Sequence, residues 1–406
     1  VKIDTMRRID YLAGVPLCFV MTWLLRLLSP FMSKEQGCEP KKVLFIELSE
    51  MGSAIIVDPA MRKMKNSGAE IYFLIFDSNV GSLKLLNTVP EGNIFTISID
   101  GLMPLAIDTF RFLFWSRKHK IDTVIDLELF SRYTALLTGL SGAKRRIGYH
   151  AFHNEGLYRG EMLTHRVAYN PHQHIAKSFI ALVNTALAKK EELPYSKSLV
   201  TDDEIILAKA EVSEAQLATV REKIKQVCSS TVSDQPRFVL INPNASDLLP
   251  QRRWMPTHFV QLMRMILEAH EDVVILITGA PAEREEAEGL KEQVNNARCI
   301  NFAGGVTFAE LPTLYTLSTL MVTNDSGPGH FSSITDMPSF VIFGPETPAL
   351  YGSLGNSTPI YAGLACSPCV SAANHRKTPC SDNVCLQVIP PQQVFELVER
   401  ELCRFA

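Results

Sequence analysis

Residues 320–348 read LMVTNDSGPGHFSSITDMPSFVIFGPETP. The apolar run LMVT has the length of a buried strand, NDSGPGH opens a helix, and FVIF (340–343) is a second buried strand. Strand, helix and strand in so short a span make one step of a parallel sheet. The turn within it is also chemically loaded. Asp325, Ser326 and the backbone around Gly327 and Gly329 gather at a helix start, where anionic groups are favoured. Asp325 can cap that helix or accept hydrogen bonds from sugar hydroxyls. Two glycines and a proline make this the most distinctive motif in the chain.

The same alternation extends in both directions. Strands are predicted at 237–241 (RFVLI), 273–278 and 299–302, and in an upstream half at 43–48 (VLFIEL), 71–76, 94–97 and 121–126. Between the halves, residues 196–235 are charged and helical in period, which reads as a linker; residues 391–406 form an amphipathic C-terminal helix. The expected architecture is α/β, with doubly wound Rossmann-like domains at 41–195 and 236–390. Ligands of open α/β sheets bind beyond the carboxyl ends of the strands, so two such domains predict one central cleft between them.

Residues 1–40 stand apart as a membrane-associating segment. Residues 11–25, YLAGVPLCFVMTWLL, carry no charge and are flanked by Lys2, Arg7, Arg8, Arg26 and Lys34. Gly14 and Pro16 sit near its start and would kink or break a helix there. A spanning helix wants roughly 20 apolar residues, so the run favours a monotopic anchor that turns near Pro16 and keeps its arginines at anionic headgroups. A signal peptide and an ordinary core helix are the competing readings. Over the whole chain of 406 residues, 46% are apolar and 20% charged, which excludes a disordered or collagenous protein. The net charge of −3 gives no basic field for nucleic acid. Nine scattered cysteines fit reduced thiols better than a disulfide framework.

Three further stretches carry candidate chemistry. The turn Leu48-Ser49-Glu50-Met51-Gly52-Ser53 follows the first strand, and Gly52 allows close backbone approach, but neither a dinucleotide fingerprint nor a Walker A loop is present. Asn242-Pro243-Asn244-Ala245-Ser246 with Arg252, Arg253 and Trp254 places a hydroxyl and two guanidinium groups after a strand, a sensible diphosphate site. Cys366, Cys369, Cys380 and Cys385, with His375 between, could hold tetrahedral zinc, although reduced thiols in a structured loop are the plainer reading.

Taken together, LSEMGSAIIVDPA (48–60), SGAKRRIGY (141–149), NPNAS…RRW (242–254), NDSGPGHFSSITDMPSFVIFGPETP (324–348) and the CSPC…CLQVIPPQQV ending (366–394) resemble glycosyltransferase family 9, the bacterial lipopolysaccharide heptosyltransferases. The resemblance implies the GT-B architecture, with the N-terminal domain taking the acceptor and the C-terminal domain the nucleotide sugar. It implies inverting, metal-independent transfer, typically of heptose from ADP-heptose, to a lipid-linked saccharide at the cytoplasmic face of the bacterial inner membrane. The nucleotide sugar is then a substrate, and no cofactor is needed. The sequence contains no Asp-x-Asp to hold a divalent cation on the diphosphate.

Carried over, Asp325 contacts the donor sugar and serves catalysis, Ser326 and Gly327 bind the diphosphate, and His330 completes that turn. Arg252 falls where the family often has a phosphate-binding lysine, and Ser246 where it has a small hydroxyl residue. On the acceptor side, after Gly52, the family commonly has an Asp that deprotonates the acceptor; here Ser53 stands there, and Glu50 is the nearest replacement base. That departure keeps two alternatives open: a non-catalytic nucleotide-sugar-binding partner of another enzyme, and a nucleotide-sugar epimerase.

Overall fold

The computed structural model describes residues 3–28, 39–48, 52–129, 131–150, 158–228, 236–371, 374 and 376–405. The chain divides into two units, Val1–Ile206 and Leu207–Ala406. Each is a parallel sheet flanked by helices.

The first unit opens with α1 (Ile3–Leu12) and α2 (Gly14–Leu28). There follow β1 (Lys42–Ile46), α3 (Ser53–Ile56), α4 (Asp58–Asn66), β2 (Glu70–Phe76), α5 (Gly81–Lys84), β3 (Ile94–Ile97), α6 (Leu102–His119) and β4 (Thr123–Asp126). The unit then runs through α7 (Arg132–Leu140), β5 (Arg145–Tyr149), β6 (His165–Val167) and α8 (Ile175–Leu187). The strands lie in the order β3-β2-β1-β4-β5-β6. Leu44, Ile46, Tyr72 and Leu74 point to one face, where they pack with Phe112 of α6 and Leu137 of α7. Alternation sends Phe45 and Phe73 to the other face, on which α4 and α8 pack together.

The second unit comprises α9 (Glu214–Val227), β7 (Arg237–Asn242), α10 (Pro256–Ala269), β8 (Val273–Ile277), α11 (Arg284–Val294), β9 (Cys299–Asn301) and α12 (Leu311–Thr316). It continues with β10 (Leu320–Asn324), α13 (Gly327–Ser332), β11 (Ser339–Phe343), α14 (Pro348–Tyr351), β12 (Ser357–Tyr361), α15 (Val384–Gln387) and α16 (Pro391–Leu402). The order is β12-β11-β10-β7-β8-β9. Val239, Ile241, Ile275 and Ile277 meet Phe259 and Met263 of α10 and Val394 and Val398 of α16 in one core.

Several elements depart from the sequence reading. The division between units falls inside the stretch read as a linker, and α9 packs against α12 through buried Val220 and Ile224, so it belongs to the second unit. Strands β5, β6 and β12 were not foreseen. At the N-terminus the helix breaks at Ala13, beside Gly14 and three residues before Pro16. Pro16 sits in the first turn of α2, where its missing N–H leaves no hydrogen bond unmade. Helix continues on both sides of the uncharged run, so Thr5–Leu28, 24 residues, is long and apolar enough to cross a membrane by length and composition.

Instead α2 lies along the first unit. Its buried residues are Gly14, Cys18 and Thr22, one narrow stripe at intervals of four. A Cβ on Gly14 would come within 2.7 Å of the Arg132 side chain. Thr22 Oγ1 accepts from the Glu161 N–H at 2.9 Å, and Arg26 pairs with the Glu161 carboxylate at 2.6 Å. Asp10 of α1 accepts from the N–H groups of Arg132 and Tyr133 at the start of α7 and pairs with the Arg132 guanidinium at 3.2 Å.

Candidate functional site

In the second sheet, chain order reverses between β7 and β10, which are neighbours. Such a switch point opens a crevice at the carboxyl ends of the two strands. The loops that follow are 243–255 after β7 and 325–326 after β10. Buried Asn324, the last residue of β10, ties them together: its Nδ2 donates to the Pro243 carbonyl at 2.6 Å, and its Oδ1 accepts from Trp254 N–H at 2.9 Å. Trp254 is anchored in turn by Nε1 donating to Ile389 O at 3.0 Å.

This brings Arg252 against Asp325. Arg252 Nε lies 3.4 Å from Asp325 Oδ2, and its Nη2 donates to Glu346 Oε2 at 2.6 Å. The other oxygen of Glu346 lies 3.3 Å from Arg376 Nε, and the Arg376 guanidinium stacks over Tyr351 at 4.7 Å. Asp325 and Glu346 are each 3% exposed. Among the described residues, two carboxylates and two guanidinium groups therefore alternate along this chain. Buried carboxylates are tolerable only with such partners. Glu346 lies in the quoted FGPETP run, but its role could not be read there, because its partners come from residues 252 and 376.

The remaining residues of this group are placed differently. Asp325 does not cap α13: the N-cap is Ser326, and the Asp325 N–H donates to Ile342 O of β11 at 2.9 Å. The Ser326 hydroxyl turns back to Asn324 O at 3.1 Å. Gly327 and Gly329 are required by close packing; a Cβ on Gly329 would sit 2.9 Å from Ser353 Oγ and 3.1 Å from Val341 Cγ2. His330 Nδ1 lies 3.3 Å from the Ser353 hydroxyl. Ser246 is exposed, and its Oγ accepts from Leu248 N–H within its own loop at 3.3 Å. Arg253 braces that loop, donating to Ala245 O at 2.6 Å.

The first sheet reverses order between β1 and β4. Ser49, Glu50 and Met51 lie outside the described residues. Gly52 precedes α3 with φ −65° and ψ −32°, an ordinary helical conformation. Ser53 is buried. Asp58 is fully buried, held by Arg62 Nε at 2.7 Å and by the Thr88 hydroxyl.

The polar groups at this switch point come from the loop after β2 and from β4 and beyond. Glu128 Oε1 accepts from Leu48 N–H at 3.0 Å, and Asn79 Nδ2 donates to Leu48 O at 2.9 Å. Asp126 pairs with Arg159, which also donates to the carbonyls of Glu128 and Ser131, both at 2.9 Å. Burial pushes the Asp126 carboxyl upward in pKa against the opposing pull of Arg159. Burial and Arg166 push His150 nearby downward. Nothing in the local sequence marks this cluster, because its members lie at residues 48, 79, 126, 128 and 159.

The described cysteines are free thiols. Cys366 is exposed, Cys369 and Cys380 are half-buried, and Cys385 is buried. Cys369 Sγ lies 3.4 Å from Thr378 Oγ1 and Cys380 Sγ 3.3 Å from Asp382 Oδ1. Burial, and then the nearby Cys369, Cys380 and Cys366, push the Cys385 thiol upward in pKa. His375 lies outside the described residues, and among those described no three metal-ligating side chains are grouped to hold a metal ion.

Comparison with known proteins agrees with this architecture. Lipooligosaccharide heptosyltransferase 2 of Campylobacter jejuni (strain 81116) is 29% identical over 167 residues, covering 39% of this chain and 50% of that protein. The Haemophilus influenzae protein of the same description is 25% identical over 171 residues, 42% of this chain and 45% of that one. The chain thus spans about half the length of the curated relatives it matches. Among solved structures, E. coli ADP-heptose lipopolysaccharide heptosyltransferase II superposes with a TM-score of 0.68 at 18% identity, over 89% of this chain and 99% of that one. A family 9 glycosyltransferase from Veillonella parvula gives 0.68 at 17% identity, over 92% and 100%. The two Rossmann-like units are therefore those of the GT-B heptosyltransferase fold. The model of glycosyltransferase family 9 (heptosyltransferase) matches residues 116–378, well over half the chain, and the protein is a member of that family.

Proposed function

We propose that the chain transfers a sugar, heptose from ADP-heptose, to a lipid-linked saccharide in lipopolysaccharide synthesis, with inversion and without a divalent metal. The second unit takes the donor and the first the acceptor. The observation that carries this reading is the convergence of Asp325, Arg252, Glu346 and Arg376 at the β7–β10 switch point. The names of the relatives, and E. coli structures holding ADP and an ADP-fluoroheptose, support the choice of donor.

In this reading Asp325 accepts from sugar hydroxyls while Arg252 holds its carboxylate in place. The backbone at Ser326 and Gly327 lies beside the diphosphate, with His330 and Ser246 at the margin. The acceptor hydroxyl attacks the anomeric carbon from the opposite side. Its proton passes to Glu50, the new C–O bond forms, and the C–O bond to phosphate breaks with its electron pair leaving on the nucleoside diphosphate. Arg252 and Arg376 offset the charge that develops there, the work a cation would otherwise do. Ser53 at the family's usual base position cannot do so unaided at neutral pH.

The place of action is the membrane surface at the cytoplasmic face of the bacterial inner membrane. The contacts that hold α2 along the first unit from Gly14 to Arg26 support a monotopic arrangement over a spanning one. Mass spectrometry of membrane glycolipids from a deletion strain tests the whole reading. Loss of one heptose, restored by the unaltered gene, is the expected result; an unchanged glycolipid profile refutes it.

A further inference from the structure

Helix α6 carries apolar side chains on two opposite faces. Its inner face carries Leu105, Thr109, Phe112 and Ser116; Phe112 and Ser116 are fully buried and Leu105 packs against the same core. Four residues apart and then three, the opposite face carries Met103, Ile107, Phe110 and Phe114, exposed by 70%, 51%, 65% and 76%. A surface helix of a soluble domain normally turns polar side chains outward, so a second apolar stripe requires a cover. The stripe runs from Met103 to Phe114, twelve residues and about 16 Å of helix.

Two observations identify that cover. First, α6 stands on the same face of the sheet as the N-terminal helices. Met6 of α1 packs into the core with Leu113 and Trp115 of α6, Thr109 Oγ1 meets the Tyr133 hydroxyl of α7 at 2.6 Å, and α2 lies on α7 through Cys18, Met21 and Leu25. The outward side of α2 is apolar too, with Phe19, Val20, Trp23, Leu24 and Leu27 exposed. Second, the charge around the stripe is basic. Arg117, Lys118 and Lys120 are exposed at its C-terminal end and Arg7 and Arg8 on α1, while Arg111 at its flank is paired with Asp108. Of the acidic residues in the same stretch, Asp108 is taken up by Ser98 N–H and Arg111, and Asp100 lies at the far end. An apolar ridge rimmed by cations matches an anionic bilayer, in which aromatic side chains enter the acyl boundary while Lys and Arg stay at the headgroups.

We propose that the outer face of α6 is a second bilayer-inserting element, which sits with α2 in one leaflet of an anionic membrane. This rests on the membrane-surface reading above. Two inserted helices fix the orientation of the first unit, where α2 alone would leave it free to roll about its own axis.

The test uses the full chain and vesicles of phosphatidylethanolamine with phosphatidylglycerol. Phe110→Ser with Phe114→Ser is expected to lower vesicle partition at least tenfold, with thermal midpoint and elution volume unchanged. In a Phe114→Trp variant, brominated acyl chains are expected to quench the added fluorescence. If the double variant partitions like the unaltered chain while Trp23→Ser with Leu27→Ser loses binding, α6 is not inserted, and the membrane reading survives without it. If the unaltered chain does not bind anionic vesicles, both fall. A change in oligomeric state on Phe110→Ser with Phe114→Ser, at unchanged partition, would make a second copy the cover and overturn the proposal.

Discussion

Asp325→Ala and Arg252→Ala are expected to separate donor use from stability. Two unit charges 3.4 Å apart interact by about 5 kcal/mol at an effective dielectric near 20, but desolvation of both groups offsets most of it. Removing Asp325 strands no cation, because Arg252 keeps Glu346 at 2.6 Å. The stability loss is then about 1–2 kcal/mol, and the melting midpoint falls by about 2–4 °C for each kcal/mol in a unit of this size. Removing Arg252 leaves Asp325 without that guanidinium and Glu346 with Arg376 at 3.3 Å. Breaking a buried pair in that way costs about 3–5 kcal/mol, so Arg252→Ala should melt markedly earlier than Asp325→Ala.

Kinetics should rank the two differently from stability. Asp325→Ala loses one or two charged hydrogen bonds to the donor, each worth ~1.5–3 kcal/mol, or roughly 10- to 10⁴-fold in kcat/KM for the nucleotide sugar. Melting curves with and without nucleotide sugar, beside initial rates at varied donor, measure both quantities. An Asp325→Ala protein that melts early yet binds and transfers normally would refute the donor role and leave only a structural tie. An Arg252→Ala protein as stable as the unaltered chain would refute the buried network.

Three further outcomes are expected. Glu50→Gln should lower turnover by roughly 10²–10⁴-fold with donor affinity nearly unchanged, the usual worth of a general base; full activity in that variant would remove Glu50 from the mechanism. Excess EDTA should leave initial rates intact, and a rate that returns only with Mg²⁺ or Mn²⁺ would contradict the metal-free reading. Burial and the neighbouring Arg145 and Arg146 push His165 from 6.5 down to about 4, so it folds neutral. Its contribution to stability is complete above pH 6.5 and is lost as pH falls through 4; screened by its partial exposure, it amounts to about 1–2 kcal/mol. Denaturant midpoints at pH 7 and pH 4.5 should therefore differ less in His165→Gln than in the unaltered chain.

The central strands were legible because they are apolar on both faces. VLFIEL, RFVLI and LMVT need no partner to be recognised. The strands that escaped carry residues which argue against a strand until their partners are known. In β5, RRIGY begins with two arginines; Arg146 is buried because its guanidinium donates to Met162 O at 2.6 Å and to Ala143 O at 2.7 Å, carbonyls of adjoining loops. In β12, STPIY holds Pro359, which a sheet accepts on an edge strand, and β12 is the edge. The break at Ala13 was legible in Gly14, beside which it falls, and not in Pro16, since a proline in the first turn of a helix breaks nothing.

The same contrast explains why one half of the site showed in the sequence and the other did not. Both sheets must fix two loops at a switch point, and both do it with buried polar groups. In the second unit the work falls largely on consecutive residues: Asn324 binds Pro243 and Trp254, and Asp325 meets Arg252. One strand and one turn therefore print a compact motif. In the first unit the tie runs from Leu48 to Asn79 and Glu128, and from Asp126 to Arg159, so the groups that shape one crevice are spread over more than a hundred residues of chain. No local pattern can carry such a cluster. It follows that substitutions at Glu128 or Arg159, which no motif marks, should loosen the end of β1 at Leu48 and lower the melting midpoint more than Gly52→Ala, because an alanine adopts the helical backbone conformation of Gly52 without strain.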